Sequence, residues 1–288
     1  MSELFGATFL QPVSNTTALL MRLKRLTLHT RTQFQEVVIA EFEDFGRALV
    51  LDNLVQSTEL DEHIYHESLV HIALMTHPLP KKVLVVGGGE GATIREVLKH
   101  SCVERVVMVD IDGELVEYAK KHLEFMHKGA FNDPRVEVVI MDGREYVDGC
   151  RETFDVAVMD LTDPYGPPIA RELYTDEFYS KISKLLSEEG VMVTQAGSSF
   201  FFEEVYDSVL DAVKRVFPIV REYNVWVPAF GYTCNFIIGS KKYDPIAIPL
   251  EELKKRFKER QLKMRFYTPQ AHLGLLYTPI FRKSRSNP

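Results

Sequence analysis

Five short apolar runs recur between residues 82 and 196: "KVLVVGG", "RVVMVDI", "VEVVIMD", "DVAVMDL" and "GVMVTQA". Between them, "TIREVLKH", "ELVEYAKKHL" and "DEFYSKISKLLS" carry apolar residues at helical spacing. A strand that is apolar at nearly every position must be covered on both faces, and alternation with helices supplies that cover. The pattern predicts an α/β fold around a parallel sheet. Such sheets hold their ligands at the carboxyl ends of the strands.

Those ends are acidic. The first strand runs into Gly87, Gly88, Gly89, Glu90 and Gly91, the second into Asp110 and Asp112, the third into Asp142 and Gly143, and the fourth into Asp160 and Asp163. Phosphate-binding sheets favour glycine and cationic groups at this edge, so acids on all four ends point to a cationic ligand. Gly87 to Ala92 also fit G-x-G-x-x-A, with Asp110 near the spacing of a ribose-binding acid, a pattern shared by nicotinamide dehydrogenases and S-adenosylmethionine enzymes. Glu90 separates the two. It would face the pyrophosphate of a dinucleotide, and two like charges in a partly desolvated cleft cost on the order of several kcal/mol. A bland role for Glu90, an acid favoured by a helix N-terminus by about 0.3–1 kcal/mol, stays open beside a ligand-binding one. A nucleoside bearing an amine or sulfonium and no phosphate would satisfy glycines, Asp110 and Glu90 together.

Upstream, "LTLHTRTQFQEVVIAEF" and "RALVLDN", with a turn at Glu43 to Gly46, predict a small antiparallel β unit. "DEHIYHESLVHIALMTH" is a helix joining it to the sheet, ended by Pro78 and Pro80. Downstream, "EEVYDSVLDAVKRVF" reads as a helix, "EYNVWVPAF" and "CNFIIGSK" as a closing strand pair, and "LEELKKRFKERQL" as an amphipathic surface helix. A formal net charge of −7 argues against nucleic acid or an anionic membrane as partner. Cys102, Cys150 and Cys234 lie far apart, which excludes a paired-cysteine zinc or redox motif and reads as three core fillers. The N-terminal residues lack a leader pattern and no run is long enough to span a bilayer, so a soluble cytoplasmic protein is expected.

Taken in order, "GRALVLDNLVQSTELDEHIYHE", "GGGEGATIREV", "DIDGELVEYAKKHL", "MDGREYV", "DLTDPYGP", "LYTDEFY" and "MRFYTPQAHLGLLYTPIF" resemble the polyamine aminopropyltransferases, the spermidine synthase family. The resemblance covers nearly the whole chain. It implies a Rossmann-like, class I methyltransferase-type sheet over residues 66–288 behind a small N-terminal antiparallel β domain over residues 1–65. It also implies transfer of an aminopropyl group from decarboxylated S-adenosylmethionine, a co-substrate and not a cofactor, to an amine, with release of methylthioadenosine.

Carried over by position, the resemblance gives each residue a role. Gln35 and Asp110 would bind the nucleoside, with Gly87 and Gly89 shaping its loop, and Asp142, Gly143 and Pro167 would meet the adenine. Glu90 and His66 would contact the amine-bearing part of donor or product. Asp160 would accept the proton, assisted by Tyr65, while Asp163 would anchor the acceptor amine and Gln195 would support the wall. No metal is called for, since the sulfonium supplies its own leaving group and no metal or nucleophile motif is found. Asp160 and Asp163 beside Pro164 and Gly166 also fit ordinary turn chemistry, and His66 also fits a packed helix residue.

Where family members that use putrescine show two small hydroxyl residues between the paired aspartates, this chain has Leu161 and Thr162, and Phe230 stands where a tyrosine is common. A permissive acceptor pocket is expected, taking putrescine to spermidine, spermidine to thermospermine, or both. The rival readings are an S-adenosylmethionine-dependent N-methyltransferase on the same sheet and a non-catalytic polyamine- or nucleoside-binding protein. The β unit is too small to stand alone, and with the family resemblance it implies a homodimer or homotetramer.

Overall fold

A computed structural model of the chain describes residues 7–166 and 168–284. Strands β1 (Thr8–Pro12), β2 (Ala18–Arg31), β3 (Glu36–Phe42), β4 (Gly46–Leu51) and β5 (Leu54–Thr58) form an antiparallel sheet in sequential order. The run from Leu26 to Phe42, read from its composition as continuous strand signal, is two strands. Thr32 Oγ1 accepts the backbone N–H groups of Phe34 and Gln35 and turns the chain there. Asp52 and Asn53, both at positive φ, make the two-residue connection to β5, the backbone that matches the twist of a hairpin.

Helix α1 (Glu62–Thr76) follows, and Asp61 fixes its entry by accepting from Thr58 Oγ1 at 2.6 Å and from the Ala229 N–H at 2.7 Å. Residue 65, the expected domain limit, lies inside this helix. The second sheet alternates as the sequence pattern requires. It comprises β6 (Lys82–Gly87), β7 (Arg105–Asp110), β8 (Val136–Ile140), β9 (Phe154–Asp160), β10 (Leu186–Gln195), β11 (Ile219–Val227) and β12 (Tyr232–Ser240), in the order β11-β12-β10-β9-β6-β7-β8. The strands from β10 to β8 run parallel, and β12 and β11 are the antiparallel closing pair.

Side-chain alternation splits this sheet between two cores. Val83 and Val85 of β6 pack with α1 on one face, and Leu84 and Val86 pack on the other. The helices beside the strands are α2 (Ala92–Leu98), α3 (Gly113–His122), α4 (Glu124–His127), α5 (Gly143–Gly149), α6 (Pro168–Arg171), α7 (Asp176–Leu185) and α8 (Glu203–Val216). The tail adds α9 (Leu250–Glu259), with Leu253 its one fully buried residue, and α10 (Pro269–Tyr277). α1 is buried almost all round, and its Glu67 carboxylate grips the tail by accepting from the N–H groups of Arg265, Phe266 and Tyr267 at 2.8–2.9 Å.

The N-terminal sheet does not wait for a partner to cover it. One face, with Val37, Ile39, Leu49 and Leu51, packs on Ala92, Leu115 and Ala119, and so roofs the carboxyl ends of β6 and β7. Its other face packs partly on Ala229. On the outer strands β1 and β2, Leu10, Leu20 and Leu26 stay more than half exposed at 57%, 55% and 53%. Of the three cysteines, Cys102 and Cys150 are half-buried, and Cys234 is buried at the site described next. They are not core fillers alike.

Candidate active site

Parallel register sets the floor of the site. Gly87 of β6 pairs with Asp160 of β9, and a Cβ on Gly87 would stand 2.0 Å from the Asp160 carbonyl oxygen. The residue is at φ +84°, which glycine alone adopts without strain. Gly89 is closed to a side chain for another reason: its Cβ would meet Asp110 Oδ2 at 2.8 Å. These glycines bring the loop backbone against the main chain of Asp160 and the carboxylate of Asp110, at the point where the strand order reverses between β9 and β7 around β6.

One cavity opens over that point. Of the site residues expected from sequence, all but two line it. His66 lies behind Glu90, fully buried and off the wall, where direct contact with a ligand had been expected. Pro167 lies outside the described residues. Gln35 reaches the cavity while its Nε2 donates to Asp112 Oδ2 at 2.8 Å. Asp112 is thereby spent on structure, for its Oδ1 also caps α3 through the Leu115 N–H. Asp142 caps α5 through the Arg144 N–H and pairs with the Arg144 guanidinium, which holds its pKa below the ordinary value. Gln195 donates to the Leu161 carbonyl at 2.8 Å and lies 2.7 Å from Tyr174 Oη, bracing the loop after β9.

The acids differ in what holds them. Asp160 accepts from Tyr65 Oη at 2.8 Å and from Thr93 Oγ1 at 2.5 Å. Burial, with the charge of Glu90 next, pushes its pKa up to about 6 against the pull of His66 and these two hydroxyls. Asp163 accepts from Tyr232 Oη at 3.3 Å and is likewise raised by burial. Asp110 is pushed up to about 7 by burial, against the Asp112 N–H bond, with Asp112, Glu90 and Asp160 adding like charge. Burial would raise Glu90 too, but the imidazole of His66 at 2.9 Å outweighs it and holds the group below its usual range. Of these four acids, Glu90 alone has a cation in contact among the described residues.

His66 Nε2, Glu90 and Asp160 bring ligand atoms within 4.8 Å of one another. Both imidazole nitrogens are bonded to carboxylates, the second to Glu62 Oε2 at 2.9 Å, so neither offers a lone pair to an ion. An ammonium, which donates hydrogen bonds to acids, suits the same space better.

Sequence reading missed several contributors. Thr93 stands in the first turn after the glycine loop, and that placement was a usable signal. Tyr232, Gln56 and Cys234 reach the cavity only because the closing strands and the N-terminal sheet fold over it. Burial beside Asp163 and Asp160 raises the Cys234 thiol well above its usual value, so it stays protonated and is no nucleophile. Glu62 and Arg95, behind His66, left no mark in composition or spacing.

Comparison with known proteins places the chain in a family. Residues 62–248 match the family model of the spermine/spermidine synthase domain, and residues 9–59 match that of the spermidine synthase tetramerisation domain. A polyamine aminopropyltransferase of Pyrobaculum arsenaticum is 55% identical over 278 residues, covering 96% of each chain. One from Pyrobaculum neutrophilum is 53% identical over 281 residues, covering 96% of this chain and 97% of the other. Among solved structures, a spermidine synthase in complex with the transition-state analogue AdoDATO superposes with a TM-score of 0.89 at 33% identity, covering 95% of this chain and 92% of that one.

Proposed function

This chain belongs to the spermine/spermidine synthase family and is an aminopropyltransferase, and we propose that its cavity joins decarboxylated S-adenosylmethionine to a polyamine acceptor, with methylthioadenosine as the second product. The acceptor nitrogen attacks the aminopropyl carbon next to sulfur. A nitrogen–carbon bond forms as the carbon–sulfur bond breaks, and the electron pair leaves on sulfur, which becomes a neutral thioether.

The attacking amine begins protonated. With a reference pKa of about 10.4, freeing its lone pair at pH 7 costs about 4–5 kcal/mol. Asp160 takes that proton. A carboxylate raised to about 6 is a stronger base than an ordinary one and is still ionised at pH 7. Tyr65 and Thr93 orient it, and Asp163 holds the acceptor's cation. On the donor side Asp110 takes the ribose hydroxyls with Gln35 beside it, Asp142 and Gly143 face the adenine, and Pro167 keeps the adenine role given by the family pattern. Glu90 attracts the donor's ammonium and repels the α-carboxylate that intact S-adenosylmethionine carries. Alignment of two held cations then supplies much of the rate.

The observation that carries the reading is the pairing, in one cavity, of an acid held ionised by a cation with an acid poised by neutral hydroxyls. Release of methylthioadenosine from decarboxylated donor, with none from intact S-adenosylmethionine, is the expected result. Equal turnover of both donors, or methyl transfer from the intact one, overturns it. No observation favours the N-methyltransferase or the non-catalytic binder.

Leu161, Thr162 and Phe230 line the acceptor side, and with them we assign a permissive pocket accepting putrescine and spermidine. Steady-state rates with putrescine, cadaverine, agmatine and spermidine check this, and a strict putrescine preference refutes it. The exposed Leu10, Leu20 and Leu26, together with the tetramerisation-domain match, support a homo-oligomer, a tetramer before a dimer, which light scattering would resolve. No helix among the described residues is long and apolar enough to cross a membrane. Three free cysteines suit the reducing cytoplasm, the compartment we assign.

A further inference from the structure

Behind the cavity wall the charges alternate in sign along a buried chain. Glu90 accepts from His66 Nε2 at 2.9 Å, and His66 Nδ1 donates to Glu62 Oε2 at 2.9 Å. The same Glu62 oxygen accepts from the Arg95 guanidinium at 2.7 Å. Arg95 also donates to Glu96 Oε1 at 2.8 Å and to the Met126 carbonyl, and Lys99 Nζ closes the chain 2.6 Å from Glu96. Side-chain exposure is 0% at His66, 4% at Glu62 and 8% at Arg95. None of these three lines the cavity.

A buried charge persists only when it is paired. His66 Nδ1 also lies 2.8 Å from the Glu62 carbonyl, so this nitrogen donates, and Nε2 donates to the Glu90 carboxylate; a ring with both nitrogens donating is a cation. Glu62 is what sustains that cation from the rear, and Arg95 keeps Glu62 ionised in turn. We infer that Glu62 and Arg95 determine donor specificity from outside the cavity: they hold His66 as an imidazolium against Glu90 and so maintain a permanent negative charge where the donor's ammonium docks. Glu62 and Arg95 are positioning residues, acting through His66. The inference rests on the proposed role of Glu90 in selecting the decarboxylated donor.

The wild-type protein supplies the first test. In a ¹⁵N-histidine spectrum His66 should carry protons on both nitrogens at pH 8, and a neutral His66 at pH 7 overturns the inference. The second test is Glu62→Gln, with Glu62→Asp as the conservative companion. Affinities are measured for decarboxylated S-adenosylmethionine, intact S-adenosylmethionine and methylthioadenosine, which has the nucleoside but no ammonium. Glu62→Gln should lower the preference for the decarboxylated over the intact donor about tenfold and leave methylthioadenosine binding alone, with Glu62→Asp restoring the preference in part. Equal loss for all three ligands, or an unchanged preference, overturns the inference. If the wild type shows no preference to begin with, the role of Glu90 has failed instead, so the two failures are distinct. Should Glu62→Gln not fold, the histidine spectrum still decides.

Discussion

The two sides of the cavity, proposed above for donor and acceptor, use the same residue chemistry and reach opposite electrostatic states. Glu90, on the loop after β6, is backed by an imidazole that is itself pinned by Glu62 and Arg95. Asp160, at the end of β9, is held by the hydroxyls of Tyr65 and Thr93 and forms no ion pair among the described residues. Burial raises both, yet Glu90 ends below its usual pKa and Asp160 well above it, at about 6. A buried acid becomes a fixed charge when its partner is an ion, and a poised base when its partners are dipoles. The proposed reaction uses one of each, the first to hold the donor's ammonium and the second to take the proton of the acceptor amine.

The comparison is tested most severely by Asp160→Asn, which removes the poised base and keeps its shape. Turnover should fall by about 10²–10⁴-fold, the usual range for a positioned general base, with donor binding retained in calorimetry. A variant as fast as the parent would mean that the proton leaves by another route.

Glu90→Gln removes the fixed charge. The donor's KM should rise by about 10–100-fold, as for a lost charge-assisted hydrogen bond, while kcat changes less and methylthioadenosine binds as before. Equal loss for donor and methylthioadenosine would show that Glu90 shapes the loop and does not read charge.

Tyr65→Phe should have the smallest effect, a drop of about 3–10-fold in kcat at pH 8, with a shift in the acid limb of kcat/KM. Asp160 faces Glu90 and His66 as charged groups, Tyr65 and Thr93 as hydroxyls, and Asp110 nearby. It must be ionised to accept a proton, so kcat/KM falls as pH drops through about 6. The Tyr65 hydrogen bond favours the ionised form, so its loss moves that limb to higher pH. A limb that stays in place, or moves down, would assign the titration to another group.

Much of this site was legible because it sits where periodicity ends. Asp110 and Asp160 end buried strands, Glu90 follows another after two glycines, and Asp142 lies just past the half-exposed edge strand β8; strand ends in a parallel sheet converge whatever the chain between them does. The roof was less legible. Gln35 and Gln56 come from a meander whose turn at Thr32 was hidden in a run read as continuous strand, and whose turn at Glu43 to Gly46 was legible without the surface the strands would cover. His66 was read from the family resemblance as a ligand contact, yet it is Tyr65, one residue before it, that lines the cavity, because adjacent residues on a helix point in different directions.

Local pattern, then, was enough for the α/β alternation, the glycine loop and the acids at the strand ends, because each depends on backbone geometry or on which side chains avoid water within a few residues. Which of those acids carries a charge was settled elsewhere. Ionisation depends on groups brought within hydrogen-bonding distance from α1, α2 and β9, up to 95 residues apart between Tyr65 and Asp160, and no spacing along the chain encodes that approach.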